Sequence, residues 1–489
     1  MKYLLGIDFG GGASKATLID GQGAIVAENT VEYPTHHPVA GAAEQSPQDW
    51  IDALCKNSRA VLEKSGIAPE DIAAVAVDSA THSFLVTDRD GVPLRDAIHW
   101  TDTRSRAEAT ELLTKYGDGI FKKTYHKPDT IWTLPMLLWL KNNEPEVFSA
   151  IGRIYFEKDY IRGFLTDTFA TDYIEAEGSM LFDCERGEWD EWLSSLAGID
   201  VGMLPPIGKP TDIAGSVTEA ASAATGLKAG TPVVMGTTDT AMEVFASGAV
   251  TAGDMTVKLA TAGRICVITD RPYPDRHLVT YSHVADGLWY PGTATKAAAA
   301  SYRWYRDTFG GDYRELDSAA ESIPQGSGGL YFHPYLLGEL TPYADPTLKA
   351  SFTGVGAEHT RAHFTRAVLE GVAFSLLECK RYLDTLGIPH GNTATLIGGG
   401  AKGKLWRGIV ADVLGITLKT TESSDSSLGS AMLAGIAVGI FKDPKDAVER
   451  CVKEKDTVIP NPEITRKYSE LYKEYKAIHD ALAPIYNKR

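Results

Sequence analysis

The sequence predicts an α/β protein with a duplicated core, and three observations carry that prediction. An apolar, strand-like run over 2–8 ends at Asp8 and turns through Gly10, Gly11 and Gly12 into a second run over 16–20. A similar strand–small turn–strand unit recurs about 250 residues later, with runs over 254–259 and 265–269 joined by Ala260-Thr261-Ala262-Gly263-Arg264. Finally, a strand over 393–397 meets Gly398-Gly399-Gly400-Ala401-Lys402-Gly403, then a helix face of Leu405, Ile409 and Val413.

The remaining elements follow in order. Asp20-Gly21-Gln22-Gly23 is a turn into a third strand, 24–28. Ser46-Pro47-Gln48-Asp49 reads as a helix start, with Trp50, Ile51, Leu54, Val61 and Leu62 on one apolar face and Gly66 as the stop. A buried-strand pattern over 72–77 stops at Asp78-Ser79-Ala80-Thr81-His82-Ser83, a strand end of the kind where α/β proteins place sites. Residues 105–225 are mostly helical and aromatic-rich. A strand over 231–236 then ends in Thr237-Thr238-Asp239-Thr240. Asp425 opens an Ala/Gly-rich helix, and Tyr468, Leu471, Tyr475, Ile478 and Leu482 predict a tail helix docked on its own domain.

Composition sets outer limits. The 489 residues allow two large domains or three ordinary ones. The net charge of −16 disfavours bulk nucleic acid and anionic membranes as partners. Cys55, Cys184, Cys266, Cys379 and Cys451 are scattered, without knuckle or redox spacing, as in a reducing cytoplasm. The apolar run before Asp8 is too short for a signal peptide, and that over 431–441 is too short to span a bilayer. The expectation is a cytoplasmic protein without nucleic-acid or membrane partners; a homodimer stays open.

Several groups have chemistry to offer. At Gly10–Gly12 backbone amides can converge on an anion beside the Asp8 carboxylate, which suits a metal–phosphate pair; the alternative is a tight hairpin with an incidental Asp. Gly398–Lys404 resembles a P-loop spacing, but Leu405 stands where the Mg²⁺-binding hydroxyl belongs, so a glycine shelf at a helix start is the surviving reading. Asp239 can take a proton from a substrate hydroxyl or cap the following helix. His82 is equally a substrate contact or a satisfied core histidine. His359 and His363 share a helix face, with no Glu after His359 and no third ligand for zinc.

The ordered set resembles the FGGY carbohydrate kinases of the actin-like, ribonuclease-H-like ATPase superfamily. The resemblance runs nearly end to end, through Gly6-Ile7-Asp8-Phe9-Gly10, Glu44-Gln45-Ser46-Pro47-Gln48-Asp49-Trp50, Ala97-Ile98-His99-Trp100-Thr101-Asp102-Thr103-Arg104 and Pro334–Pro342 to Arg366–Phe374 and Gly398–Asp412. It implies two ribonuclease-H-like domains flanking a central cleft, 1–243 mainly for sugar and 244–489 mainly for ATP. It implies ATP and Mg²⁺ as cofactors and a small sugar as the other partner. Asp239 then looks like the catalytic base, with Asp8 and Asp239 at the metal. Gly10, Gly11, Gly12, Ser14, Lys15, Thr261 and Gly263 resemble the phosphate turns, and Gly399, Gly400, Ala401 and Lys402 the adenosine shelf. Thr81, His82, Trp100, Asp239 and Thr240 resemble the sugar site, joined by Asp102 and the 127–132 segment, with core packing an equal reading for Trp132.

Departures from the family pattern matter for specificity. Gly11 and Gly12 stand where relatives carry Thr or Ser, and Ala262 stands where Ser is usual. Ala80-Thr81-His82 replaces the Gln-Met-His of xylulokinases and differs from the Arg-Glu of glycerol kinases. The implied reaction is ATP-dependent phosphorylation of a ketopentose such as xylulose. Another ketose, a deoxy sugar, a polyol or an aldonate is the alternative within the family; a non-enzymatic actin-like ATPase switch is the alternative of another class.

Overall fold

A computed structural model describes residues 2–487. Contacts gather the chain into two units: Met1–Val250, Tyr281–Gly287 and Ser423–Val452 in the first, Thr251–Thr280, Leu288–Glu422 and Lys453–Arg489 in the second.

In chain order the first unit contributes strands β1 (Tyr3–Phe9), β2 (Ala13–Asp20), β3 (Ile25–Glu32), β4 (Ile72–Ser79), β5 (Phe84–Thr87), β6 (Arg153–Phe156), β7 (Ile213–Ser216) and β8 (Pro232–Val234). Six of them form one sheet in the order β7-β8-β4-β1-β2-β3. The meander β1–β2–β3 is antiparallel, β4 lies parallel to β1 and to β8, and β7 closes the edge antiparallel. The second unit has β9 (Met255–Leu259), β10 (Gly263–Val267), β11 (Gly292–Thr295), β12 (Thr393–Ile397), β13 (Thr417–Thr421) and β14 (Glu454–Val458). Their order is β11-β10-β9-β12-β13-β14, with the same sequence of strand senses when each sheet is read from the outer strand of its meander, β3 or β11. Each unit thus has its own ribonuclease-H-like sheet, and the faint sequence repeat marks the first hairpin of each.

Pairing lengthens some elements beyond their sequence pattern. Ser14 pairs with Phe9 and Ala13 with Glu32, so β2 and β3 extend to the turn and leave only residues 10–12 outside the ladder. The predicted strand over 24–28 therefore runs on to Glu32. β14 escaped the sequence reading because Glu454, Lys455 and Asp456 are charged and exposed, as an edge strand tolerates.

The helices that matter are α1 (Pro47–Ser65), α2 (Glu157–Thr166), α3 (Asp239–Ala246), α4 (Arg361–Thr385), α5 (Lys404–Leu414), α6 (Ser426–Ala437) and α7 (Pro462–Tyr486). α1 starts with Pro47 at its first position and ends on Gly66 at φ 66°, whose amide bonds the Leu62 carbonyl. Ser46 caps it through its backbone only: the Asp49 amide reaches the Ser46 carbonyl at 3.1 Å. Tyr468 and Tyr475 of α7 are buried in the second unit's core, with Leu471 and Ile478 packed against it, as the helical spacing predicted, and Tyr472 joins them.

α6 belongs to the first unit, pressed against β1 and α3. A Cβ at Gly6 would stand 2.0 Å from the Ser427 carbonyl oxygen, and one at Gly429 would stand 2.4 Å from that of Met242. These glycines let three backbones approach, which side chains of any size would prevent.

Candidate active site

In the first unit the ends of β1 and β4 set two acids side by side, Asp8 pairing in register with Asp78. Asp78 is fully buried, and the Ser430 hydroxyl of α6 donates to its Oδ2 at 2.5 Å. The two carboxyls hydrogen-bond each other. Burial, opposed by that bond, pushes Asp8 up to about 7, helped by Asp239, Glu243 and Asp425; Asp78 is driven well above the carboxylate range by burial and by Asp8.

Asp239 opens α3, and the question of capping is settled by its neighbour. The Thr238 side chain accepts the Ala241 amide, so Thr238 is the cap. Asp239 Oδ1 accepts from the Thr240 amide at 2.6 Å, the Thr240 hydroxyl at 3.2 Å and the Thr81 hydroxyl at 3.4 Å. Thr81, Asp239 and Thr240 are therefore one group. His82 follows Thr81 at φ +76°, in the left-handed region that a bulky residue adopts rarely. Its Nε2 meets the Tyr281 hydroxyl at 2.6 Å and its ring packs 4.4 Å from Trp132. Trp132 is itself buried against His126, so core packing accounts for it. Trp100 is 40% exposed, with its amide on the Ser83 hydroxyl at 3.3 Å. Asp102 is buried and held by Arg104 and the Ala43 amide.

The glycine turn keeps part of its expected character. Its carbonyls are tied down: Gly10 accepts from the Tyr33 hydroxyl at 2.5 Å, Gly11 from Thr35 at 2.6 Å, and Gly12 from the Tyr33 amide at 3.1 Å. Gly11 and Gly12 are exposed, and neither has the positive φ that would require glycine. Ser14 is not on this surface. It is buried, its hydroxyl bonded by Asn57 at 2.9 Å, because strand alternation turns it inward. Lys15 points outward into an ion pair with Glu28 at 2.7 Å and another with Asp425.

The sequence reading missed several acids around this group. Glu157, Glu175 and Glu177 are buried within the first unit. The clue was available for Glu157, an acid placed directly after the apolar strand Ile154-Tyr155-Phe156. Beside it Lys158 bonds Asp159 at 2.5 Å and Asp172 at 2.9 Å, and Arg162 bonds Asp159 at 2.6 Å, all without exposure. Glu177 accepts the Ser282 hydroxyl at 2.6 Å and the Ser282 amide at 2.8 Å, yet burial pushes it up to about 8 from an ordinary 4.5. The folded protein thus holds a proton there that the unfolded chain releases, so Glu177 costs stability progressively as pH rises from about 4.5 to about 8. Urea midpoints are expected to be lower at pH 8 than at pH 5.5, with Glu177→Gln flattening that slope. An equal slope in the variant removes Glu177 as a cause.

The second unit contains a cavity of about 820 Å³, lined among others by Thr261, Tyr302, Gly399, Gly400, Lys402 and Trp406. Thr261 lies exposed on the turn between β9 and β10, and the glycines precede α5. Gly398 has φ +92°, and a Cβ there would press the Leu259 carbonyl at 2.8 Å, so the glycine lets the loop fold back on β9. Asp317 lines the same cavity and accepts the Tyr302 hydroxyl at 2.6 Å; burial raises its pKa. Two predicted members are absent from the lining. Gly263 is buried in β10, where a Cβ would crowd Thr295, Leu376 and Ala298; Ala401 packs on the hydrophobic core.

His359 and His363 are spent on structure: the Gly356 amide bonds His359 Nδ1 at 2.8 Å and the Thr360 amide bonds His363 Nδ1 at 3.2 Å. Among the described residues no group of three or more His, Cys, Asp or Glu is arranged to hold a metal ion by itself.

Two paired carboxyls at the ends of β1 and β4, a third acid freed from capping, a glycine turn and a separate nucleoside-sized cavity with a glycine shelf suit transfer of a phosphoryl group to a hydroxyl. The N-terminal domain profile of the FGGY family of carbohydrate kinases matches residues 3–246, and its C-terminal domain profile matches 249–438. The chain belongs to the FGGY family of carbohydrate kinases.

This FGGY kinase is 31% identical to the xylulose kinase of Bacillus subtilis (strain 168), over 98% of this chain and 97% of that protein. A ligand-bound xylulose kinase structure from Lactobacillus acidophilus superposes with TM-score 0.94 at 26% identity, covering 100% of both chains. A gluconate kinase structure from the same species gives 0.93 at 27% identity, covering 100% of this chain and 99% of that one. The chain is an ATP-dependent sugar kinase of the actin-like ATPase fold. Among the described residues no helix is long and apolar enough to cross a membrane.

Proposed function

We propose that this FGGY kinase transfers the γ-phosphoryl group of ATP to a hydroxyl of a ketopentose such as xylulose, with Asp239 as general base. The observation that carries the reading is the Asp239 carboxylate, released from capping by Thr238 and grouped with Thr81, beside His82 and the Asp8–Asp78 pair. The sugar site is assigned to Thr81, His82, Trp100, Asp239 and Thr240 of the first domain, 1–243. Nucleotide is assigned mainly to the second, 244–489, where the cavity bears Thr261, Gly399, Gly400 and Lys402. The exposed Gly11 and Gly12 amides are assigned to phosphate oxygens. A free-thiol complement of five cysteines supports a cytoplasmic place for the protein.

The donor set suits Mg²⁺. Asp78 and Asp8 share one crowded, proton-retaining position at the ends of β4 and β1, which a divalent cation would relieve. The lack of a self-sufficient ligand group fits an ion that keeps water and substrate phosphates in its shell. Asp8 and Asp239 would hold it, and when bound it offsets charge on the phosphate oxygens. In the transfer the substrate oxygen forms a bond to the γ-phosphorus, the bond to the ADP oxygen breaks, and Asp239 takes the hydroxyl proton. Because the transition state is loose, alignment of the hydroxyl by Asp239 and Thr81 matters more than basicity.

A panel of ketoses, deoxy sugars, polyols and aldonates, read by ADP release, tests the proposal. Xylulose or a close ketopentose is expected to give the highest kcat/KM. Turnover confined to a polyol or an aldonate replaces the substrate, and ADP release indifferent to every sugar favours a nucleotide switch.

A further inference from the structure

Glu157 has no part in the reaction described so far, yet it is built into the acceptor side of the site. It follows β6 directly, and the β5–β6 register, Phe84 opposite Phe156, delivers it to Ser83 at the end of the loop bearing Thr81 and His82. Its amide donates to the Ser83 carbonyl at 3.2 Å, and the next amide, of Lys158, donates to the Ser79 hydroxyl at 2.9 Å. The residue is fully buried and has no ion pair among the described residues, and the Ser83 hydroxyl, on the loop that carries Thr81 and His82, is the donor beside its carboxyl. Its neighbours Lys158, Asp159 and Arg162 are matched among themselves and with Asp172. Burial and the charges of Asp239, Glu175 and Asp8 keep its proton on, and it acts in turn on the Tyr33 hydroxyl, which is pinned on Gly10. A carboxyl that served only the fold would be ion-paired, as Asp159 is, or replaced by an apolar side chain of its size, since a buried carboxyl with a single hydroxyl beside it is costly.

We infer that Glu157 is a specificity-determining residue that receives a hydroxyl of the substrate close to the one presented to Asp239, and that the site is thereby built for an uncharged polyhydroxy sugar. A carboxyl both accepts from and donates to a hydroxyl. A substrate carboxylate brought beside Glu157, Asp239 and Glu175 would meet acids on several sides, which disfavours an aldonate. The inference rests on Asp239 marking the acceptor hydroxyl.

The test pairs enzyme variants with substrate variants. The preferred ketose of the panel, each of its mono-deoxy analogues and D-gluconate are assayed with wild type, Glu157→Gln and Glu157→Leu. In wild type one deoxy analogue is expected to lose at least about 10²-fold in kcat/KM, as a site built to bond a hydroxyl does. In Glu157→Leu that analogue and the parent converge to within about 3-fold, through loss on the parent, while Glu157→Gln restores most of the discrimination. The same deoxy profile in Glu157→Leu as in wild type overturns the inference. Should the Leu variant fail to fold, wild type alone decides: acceptance of every deoxy analogue within about 3-fold overturns it. Gluconate turned over as well as the ketose overturns the uncharged class. Wild type that phosphorylates no ketose removes the proposed function, and this inference with it, a result distinct from an unchanged deoxy profile.

Discussion

Asp239→Asn is expected to bind sugar and ATP almost as wild type does and to lose about 10²–10⁴-fold in kcat, the usual scale for removing a general base. The structure makes this substitution a clean one. Thr238 caps α3, so the helix end does not depend on the Asp239 carboxylate. The oxygen that accepts from Thr240 and Thr81 survives in Asn, so local geometry is retained. What is lost is the capacity to take a proton and one negative charge facing the acceptor. The measurement is kcat and KM for both substrates with titration binding of each. Turnover within a few-fold of wild type removes Asp239 from the base role. A collapse of sugar affinity with kcat intact makes it a binding group instead.

Gly6→Ala is expected to cost about 3 kcal/mol of stability, at the upper end for overpacking. The added Cβ would stand 2.0 Å from the Ser427 oxygen and 2.3 Å from the Ala431 nitrogen, both backbone atoms of α6 that no rotamer change can move. The helix must shift as a body, and it carries Ser430 to Asp78 and Ser427 to the Thr17 hydroxyl at 2.8 Å. Activity should therefore fall beyond the loss of folded protein, because Asp78 supports Asp8. Gly12→Ala is the matched control, since nothing lies within 4 Å of a Cβ there. Denaturant midpoints followed by circular dichroism decide it: a Gly6→Ala midpoint equal to that of Gly12→Ala refutes close packing of α6 on β1.

The legible parts of the chain were those where local chemistry and final structure agree. β1 is buried on both faces, so its apolar run reads as a strand without knowledge of its partners. Gly398 and Gly66 mark positive-φ positions that only glycine fills cheaply. Asp8 stands near the end of β1 and Asp239 on the segment that leads from β8 into α3, and so both were visible as candidates. Glu157 and Asp78 were not singled out. Their importance comes from lacking an ion pair or sharing a proton-retaining position, which depends on what residues far along the chain bring near them.

The sequence pattern by itself determined an α/β protein with a repeated strand–turn–strand unit and with acids and glycines at its turns, and the resemblance to the FGGY carbohydrate kinases added the reaction. Strand periodicity and turn composition are properties of neighbours in the chain. Only tertiary structure decided that Thr238 rather than Asp239 caps α3, that Ser14 and Gly263 face inward, and that α6 seals β1 rather than the sheet nearest to it in sequence. The reason is physical: a side chain's role is fixed by which polar groups and backbones come within a few ångströms, and those come from residues such as Asn57, Thr295 and Ser427, tens to hundreds of positions away.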